Sequence, residues 1–171
     1  MYKIKFSAVL LNRYYKLKPG FFDFHLFPLS DWEQLGSRLS GGNARHVLIV
    51  MEHQEDDKEL TDFLGKILSA AKLNLEEDTL LLKLTKGENI SFSNLSQAKP
   101  VKYVLLFGVG PRQLGVHFPL VADEPTRFGK VLFLYSPPLR SLFEERKAET
   151  RPKAASLWKN LKQLFVDPDT P

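Results

Sequence analysis

The sequence contains no cysteine in its 171 residues. This absence excludes disulfide bonds, thiolate nucleophiles, Cys-ligated zinc and iron–sulfur clusters, and it suits a reducing compartment, so we expect a cytoplasmic protein. The sequence also has no apolar run close to the roughly 18 residues that a membrane span needs. The stretch that begins at Met1 lacks the apolar segment and small-residue cleavage site of a secretory signal. We therefore expect a soluble protein that has no membrane partner.

A large excess of one charge is also absent. The chain has 24 basic and 20 acidic residues, a formal net charge of +4, which permits weak contact with nucleic acid without requiring it. Hydrophobic residues make up 43% of the sequence and charged residues 26%. A chain of this length and composition can bury a core of its own, and we expect a single globular domain.

Signatures of phosphate binding and of nucleophilic catalysis are absent as well. Residues 108–115 are rich in glycine, but they have neither the lysine of the GxxxxGK[ST] loop nor the spacing of GxGxxG. Ser136 is not in a G-x-S-x-G elbow, and His25, His46 and His117 stand in no recognisable relation to it. The sequence therefore predicts neither a phosphate loop nor a serine nucleophile.

Acidic residues and one histidine follow the first predicted strand. Glu52, His53, Glu55, Asp56 and Asp57 could form a metal or acid–base cluster, because such groups gather at strand ends. Acids at the start of a helix more often form a solvated cap that suits the positive end of the helix dipole. No pair of histidines here has the spacing of metal ligands. We favour the cap, and we expect neither a metal nor a cofactor.

Apolar runs alternate with helical patterns through most of the chain. A near-continuous apolar run such as residues 46–51 is typical of a parallel strand covered on both faces. The sequence predicts strands at residues 46–51, 79–84, 101–107 and 131–135, and helices at residues 31–39, 60–71, 139–145 and 152–165. Residues 87–99 are expected to be irregular, and residues 116–127 to form an irregular or hairpin-like lead-in. This alternation predicts an α/β fold with three layers, α/β/α, and a mainly parallel central sheet.

Three segments of different character divide the chain. We expect residues 46–166 to form the α/β domain, residues 1–45 to be an aromatic-rich arm with short helices packed on it, and residues 167–171 to be a disordered tail. The arm carries Phe21, Phe22, Phe24 and Phe27, which are too closely spaced to be left in water. These side chains either pack on the domain's own sheet or bind a partner.

Basic residues recur in the last third of the sequence. The candidates for contact with a phosphate backbone are Arg140, Arg146, Lys147, Arg151 and Lys153. They are interleaved with glutamates, a pattern that favours a solvated helix face over a nucleic-acid site. We expect weak DNA binding or none, and any binding should be sensitive to salt.

The order of these parts resembles the uracil-DNA glycosylase superfamily across residues 46–165. The resemblance comprises a strand that opens into a first motif, a helix like residues 63–71, a short strand, and the strand at residues 103–108. It continues with a strand that ends in a Pro-containing loop and a helix with a buried tryptophan, here Trp158. It implies a glycosylase-like α/β fold.

Both catalytic motifs of that superfamily are altered here. In active members the first motif resembles a glycine followed by a short proline-containing turn, whereas this chain has Glu52, His53 and Gln54. The second motif typically begins His-Pro, whereas Ser136, Pro137 and Pro138 place serine at the histidine position. A neutral serine does not supply the stabilisation of developing negative charge that the histidine provides, and loss of one such donor costs roughly a hundredfold in rate. The resemblance therefore implies a catalytically degenerate site.

A closer resemblance is to the psi-subunit family of the bacterial DNA polymerase III clamp loader. That family has a Ser-Pro-Ala-Leu type of turn, an Ala-Leu-Trp helix core and an Asp-Glu-Pro turn. Here the matching residues are Ser136-Pro137-Pro138-Leu139, Ala154-Ala155-Ser156-Leu157-Trp158 and Asp123-Glu124-Pro125. The resemblance implies a non-catalytic interaction subunit that bridges protein partners of the replication machinery, namely clamp-loader or polymerase subunits.

The alternative is an active enzyme. A divergent DNA glycosylase or a nucleotide-processing hydrolase could use the strand-end cluster at residues 52–57. The two interpretations differ in what lies between Glu52 and Ser136. An enzyme needs a base-sized pocket there, whereas a scaffold protein would fill the space with side chains such as His53, Tyr135 or Pro138.

Overall fold

The computed structural model of the chain describes residues 32–53 and 57–167. The strands are β1 (Val47–Glu52), β2 (Thr79–Leu84), β3 (Tyr103–Phe107), β4 (Thr126–Phe128) and β5 (Val131–Ser136). The α-helices are α1 (Trp32–Arg38), α2 (Asp57–Ala70), α3 (Phe92–Ala98), α4 (Leu139–Glu145) and α5 (Pro152–Leu161). A short 3₁₀ helix covers Pro111–Leu114, and one π-helical turn, Lys162–Val166, continues α5.

The strands form one sheet in the order β2-β1-β3-β5-β4. The pairs β1–β2, β1–β3 and β3–β5 are parallel, and the short edge strand β4 pairs antiparallel with β5. The predicted α/β class with a mainly parallel sheet is confirmed. Because β1 lies between β2 and β3, the chain crosses over β1 after β2, and the crevice of such a sheet opens at the carboxyl ends of the central strands.

Alternate side chains of the central strands point to opposite faces of the sheet and belong to two separate hydrophobic clusters. Ile49, Leu105 and Leu134 pack with residues of α2, α4 and α5. Leu48 and Leu106 belong to the second cluster, which includes residues of α1 and α3. Helices therefore lie on both faces of the sheet, consistent with the predicted three layers. This explains why residues 47–51 of β1 and the whole of β3 are apolar.

Two segments between predicted strands contain regular structure. The prediction of an irregular segment at residues 87–99 is wrong in part, because α3 forms there. The Ser91 hydroxyl caps it by accepting the N–H of Asn94 at 3.3 Å, and Leu95 is buried. The helix is polar on its outer side, so its single buried leucine gave little periodicity to detect. The hairpin-like lead-in is confirmed, because β4 pairs antiparallel with β5.

Helix α5 buries the expected leucines but not its tryptophan. Leu157 and Leu161 are buried, as predicted, but Trp158 keeps 41% of its surface exposed. The expectation of a buried tryptophan is therefore wrong. Asn160 is buried instead, because its Nδ2 donates to the carbonyl of Asp123 at 2.7 Å and to that of Ser156 at 3.1 Å. Leu157, Leu161 and Phe165 form the buried face of this segment, and the indole of Trp158 lies at the surface beside it.

Several predictions fall on residues outside the described part of the chain. They concern the partner-binding candidates Phe21, Phe22, Phe24 and Phe27, the motif residue Gln54, and residues 168–171. Asp167, the first residue of the expected tail, is described, and its carboxylate lies 3.3 Å from the Lys162 ammonium. Across residues 32–53 and 57–167, none of the helices has the length and apolar character to cross a bilayer.

Candidate functional site

The carboxyl ends of β1, β3 and β5 lie side by side, and both altered motifs begin there. Met51 pairs with Phe107, and Phe107 pairs with Ser136. Two strand spacings separate Met51 from Ser136, which is about 10 Å. Glu52 follows Met51, and the Pro137 turn follows Ser136. The structure thus brings the two predicted rims to one edge of the sheet, with the end of β3 between them.

Pro138 packs on the end of β3. Gly108, the residue after β3, has a φ of +70°, and a β-carbon built on it would lie 2.9 Å from Cγ and 3.0 Å from Cα of Pro138. The N–H of Gly108 also donates to the carbonyl of Ser136 at 3.0 Å. Only glycine allows so close an approach in this backbone conformation. The loop after β5 is therefore fixed against β3, and the proline ring takes space at the centre of the edge.

The Ser136 side chain is directed into the protein. Only 1% of the residue's surface is exposed, and its hydroxyl donates to Oδ1 of Asp123 at 3.3 Å. Asp123 is held in turn by its own backbone, because its N–H donates to the carbonyl of Tyr135 at 2.7 Å. The backbone of Asp123 has a φ of 58°, which aspartate tolerates better than most residues. The Ser136 hydroxyl is thus engaged in a hydrogen bond within the protein.

Asp123, Ser136, Ser156 and Asn160 form a polar cluster between the turn before β4, the end of β5 and helix α5. Burial raises the pKa of the Asp123 carboxyl, and hydrogen bonds from Ser136 and Ser156 lower it in part. Sequence reasoning noted Asp123 only as part of a turn and did not single out Ser156 or Asn160. The available signal was Asn160 itself, a polar residue directly before the buried Leu161.

His53 lies on the other side of β1. Its N–H donates to the carbonyl of Leu84 at 2.6 Å, so the chain after β1 continues along β2. The His53 side chain lines a cavity of about 330 Å³ together with residues of α1 and β2, among them Arg38 and Lys83. In the sheet, β3 lies between β1, which leads to His53, and β5, which ends at Ser136.

The acidic strand-end cluster is described only in part. Glu52 is half-buried at the end of β1, Asp57 begins α2, and residues 54–56, which include Glu55 and Asp56, lie outside the described residues. Within residues 32–53 and 57–167, no three His, Asp or Glu side chains are grouped in a way that could hold a metal ion.

The five basic candidates for phosphate contact have different surroundings. Arg140 lies 4.0 Å from the Glu144 carboxylate. The guanidinium of Arg146 lies over the ring of Phe143, 3.5 Å from its centroid. Arg151 donates to the carbonyl of Arg146 at 2.8 Å, whereas Lys147 and Lys153 are exposed. Arg146 and Arg151 line one cavity, which Trp158 also lines.

No model of a known protein family matches the chain, and the comparison with curated proteins gave no significant match. Functional interpretation therefore rests on the fold and on the geometry at the carboxyl edge of the sheet.

Proposed function

We propose that the chain is a non-catalytic interaction subunit of DNA replication or repair machinery. It has a three-layer fold of the glycosylase type, it resembles psi subunits in form, and it bridges protein partners. The order of elements supports this proposal: β1 with its following helix, β2, β3, then β5 with a Pro-containing turn and a helix that carries Trp158. The contacts at the carboxyl edge of the sheet add to this support.

The observation that carries the proposal is the contact between Pro138 and Gly108. A glycosylase needs space at this edge for a flipped base and a charged or polar group directed at it. Here a proline ring lies against Gly108, closer than a β-carbon would permit, and the Ser136 hydroxyl donates to Asp123 within the protein. A buried, neutral serine whose hydroxyl already bonds Asp123 does not stabilise charge on a leaving base. These contacts at the edge of the sheet therefore stabilise the fold.

Affinity purification of the tagged chain from its native organism tests the partner class. We expect clamp-loader or polymerase subunits to be enriched over a purification with the tag alone, and the complex to persist after nuclease treatment, because protein contacts hold it. A purification that yields only metabolic enzymes, or partners that dissociate when DNA is digested, would contradict the bridging role.

A further inference from the structure

A small apolar cavity lies between α2, α4 and α5, on the face of the sheet away from α1 and α3. Its volume is about 260 Å³. Buried or half-buried side chains form its floor, among them Phe63, Ile67, Leu142 and Leu157. Exposed residues form its rim: Trp158, Arg146 and Arg151. We call this the Trp158 pocket.

The rim has the composition of a binding surface. Trp158 is 41% exposed although its neighbour Leu157 is buried in the core. Tryptophan and arginine are the residues that most often dominate binding energy at protein interfaces, and exposed apolar surface beside a concavity marks interaction sites. A large indole at the edge of an apolar floor is therefore placed to close over an inserted side chain.

The rim is also positively charged. In the described part of the chain, neither the Arg146 nor the Arg151 guanidinium has a carboxylate within 4.0 Å. The carboxylate of Glu145 accepts the N–H groups of Lys153 at 3.2 Å and Ala154 at 2.9 Å, at the start of α5. Arg146 is held in place over the rings of Phe143 and Phe63. Positioned guanidinium groups of this kind are suited to carboxylate ligands.

The size of the pocket limits what can enter it. A volume of about 260 Å³ is below the roughly 300–1,000 Å³ of most small-molecule sites, but it suits one large apolar side chain. Nucleic-acid bases bind instead on open aromatic platforms along a basic groove, whereas this floor is concave and almost wholly apolar. The chemistry therefore favours a peptide over a nucleotide.

We propose that the Trp158 pocket binds a peptide segment of a protein partner that presents one aromatic or leucine side chain flanked by aspartate or glutamate. The apolar side chain enters the cavity beneath Trp158, and the acidic groups bind Arg146 and Arg151. The proposal goes beyond the bridging role above, because it stands whether or not the partner belongs to a replication complex.

A randomised peptide library displayed on phage and selected on the full chain tests this directly. We expect enriched sequences to contain a large apolar residue between acidic residues. A synthetic peptide of the enriched sequence should bind about tenfold more weakly to Trp158→Ala, and more weakly to the Arg146→Gln, Arg151→Gln double variant. Binding to the wild-type chain should weaken as salt rises.

Matched controls come from the far edge of the sheet. Phe128 is 62% exposed and Arg127 is exposed, both on β4, so Phe128→Ala and Arg127→Gln remove the same kinds of side chain elsewhere and should leave peptide binding unchanged. Circular dichroism melts verify that each variant is folded.

Four outcomes would overturn the proposal. The first is that no peptide is enriched, and the second is that enriched peptides are neutral or basic. The third is that peptides bind the pocket variants as well as the wild type. The fourth is that the pocket holds another occupant: either Trp158→Ala converts a dimer into a monomer, or an oligothymidine binds in a way that the pocket variants abolish. None of these results bears on uracil excision, so this proposal and the proposed function can fail independently.

Discussion

Pro138 lies so close to Gly108 that a β-carbon on the glycine would be 2.9 Å from the proline Cγ. The contact joins the loop after β5 to the end of β3, thirty residues earlier in the chain. It lies at the carboxyl edge of the sheet, between the ends of β1 and β5. The contact should therefore affect the free energy of unfolding, because a side chain placed on Gly108 would displace Pro138.

Gly108→Ala should destabilise the protein more than Gly87→Ala does. Both glycines have positive φ, +70° and +74°, so both substitutions carry the cost of left-handed backbone, roughly 1 kcal/mol. A β-carbon on Gly108 would clash with Pro138, whereas nothing lies within 4 Å of the position that a β-carbon would take on Gly87. Overpacking should add about 1–3 kcal/mol to the loss. Urea denaturation measures both variants, and equal losses would show that the Pro138 contact is not tight.

Asp123→Asn should be tolerated, whereas Asp123→Ala should not. Asparagine keeps an acceptor for the Ser136 hydroxyl and accepts a φ of 58°. Alanine leaves a buried hydroxyl unpaired, at a cost of about 1–3 kcal/mol. Thermal melts of the two variants against wild type give the comparison. If both variants lose the same stability, the hydrogen bond to Ser136 does not hold this turn.

The same pair of variants has a defined dependence on pH. Burial raises the pKa of Asp123 above its usual 3.8, so the folded state disfavours the carboxylate. The contribution of this group to stability is present below pH 3.8 and is lost as pH rises through the raised pKa. The Asp123→Asn variant has no carboxyl group to ionise. Its free energy of unfolding should therefore increase relative to that of the wild type as pH rises from acid to neutral. A difference that does not vary with pH would show that the carboxyl is well solvated.

Glu88→Gln should destabilise the protein at neutral pH but not in strong acid. The hydrogen bond from Arg38, at 2.5 Å, and bonds from Thr85 lower the pKa of Glu88 to about 2. Its stabilisation is present above pH 4.5 and is lost as pH falls through about 2. The Arg38 side chain is 37% exposed, so solvent screening limits the loss to about 1 kcal/mol. Glu149→Gln, at an exposed residue, is the control, and a loss that persists at pH 2 would contradict the ion-pair explanation.

Local patterns in the sequence were sufficient to predict the parallel strands and most helices. Thr79–Leu84 and Leu139–Glu145 begin and end where predicted, because a leucine-rich run and a preceding proline are local signals. Helix α3 escaped prediction because it buries little apolar surface. The bond from Asn160 to the carbonyl of Asp123 joins distant segments, and such a contact leaves no periodic trace in the sequence.

The candidate site was likewise predictable from the sequence only in part. That Glu52 and Ser136 would stand at one edge of the sheet was predictable, because parallel strands end together. That Ser136 bonds Asp123 was not, because the pairing arises from a bridge between Ala122 and Tyr135 that only the folded sheet creates. The contact between Gly108 and Pro138 likewise required the order of β3 and β5 in the sheet.

The most direct test of the central claim is uracil release from a uracil-containing single-stranded oligonucleotide, followed by cleavage at abasic sites. The contact of Pro138 with Gly108 and the buried Ser136 predict no release above buffer, for the wild-type chain and equally for His53→Ala and Ser136→Ala. Release that rises in proportion to wild-type protein and disappears in either variant would show that the edge is a working active site, and the account of a non-catalytic scaffold would be wrong.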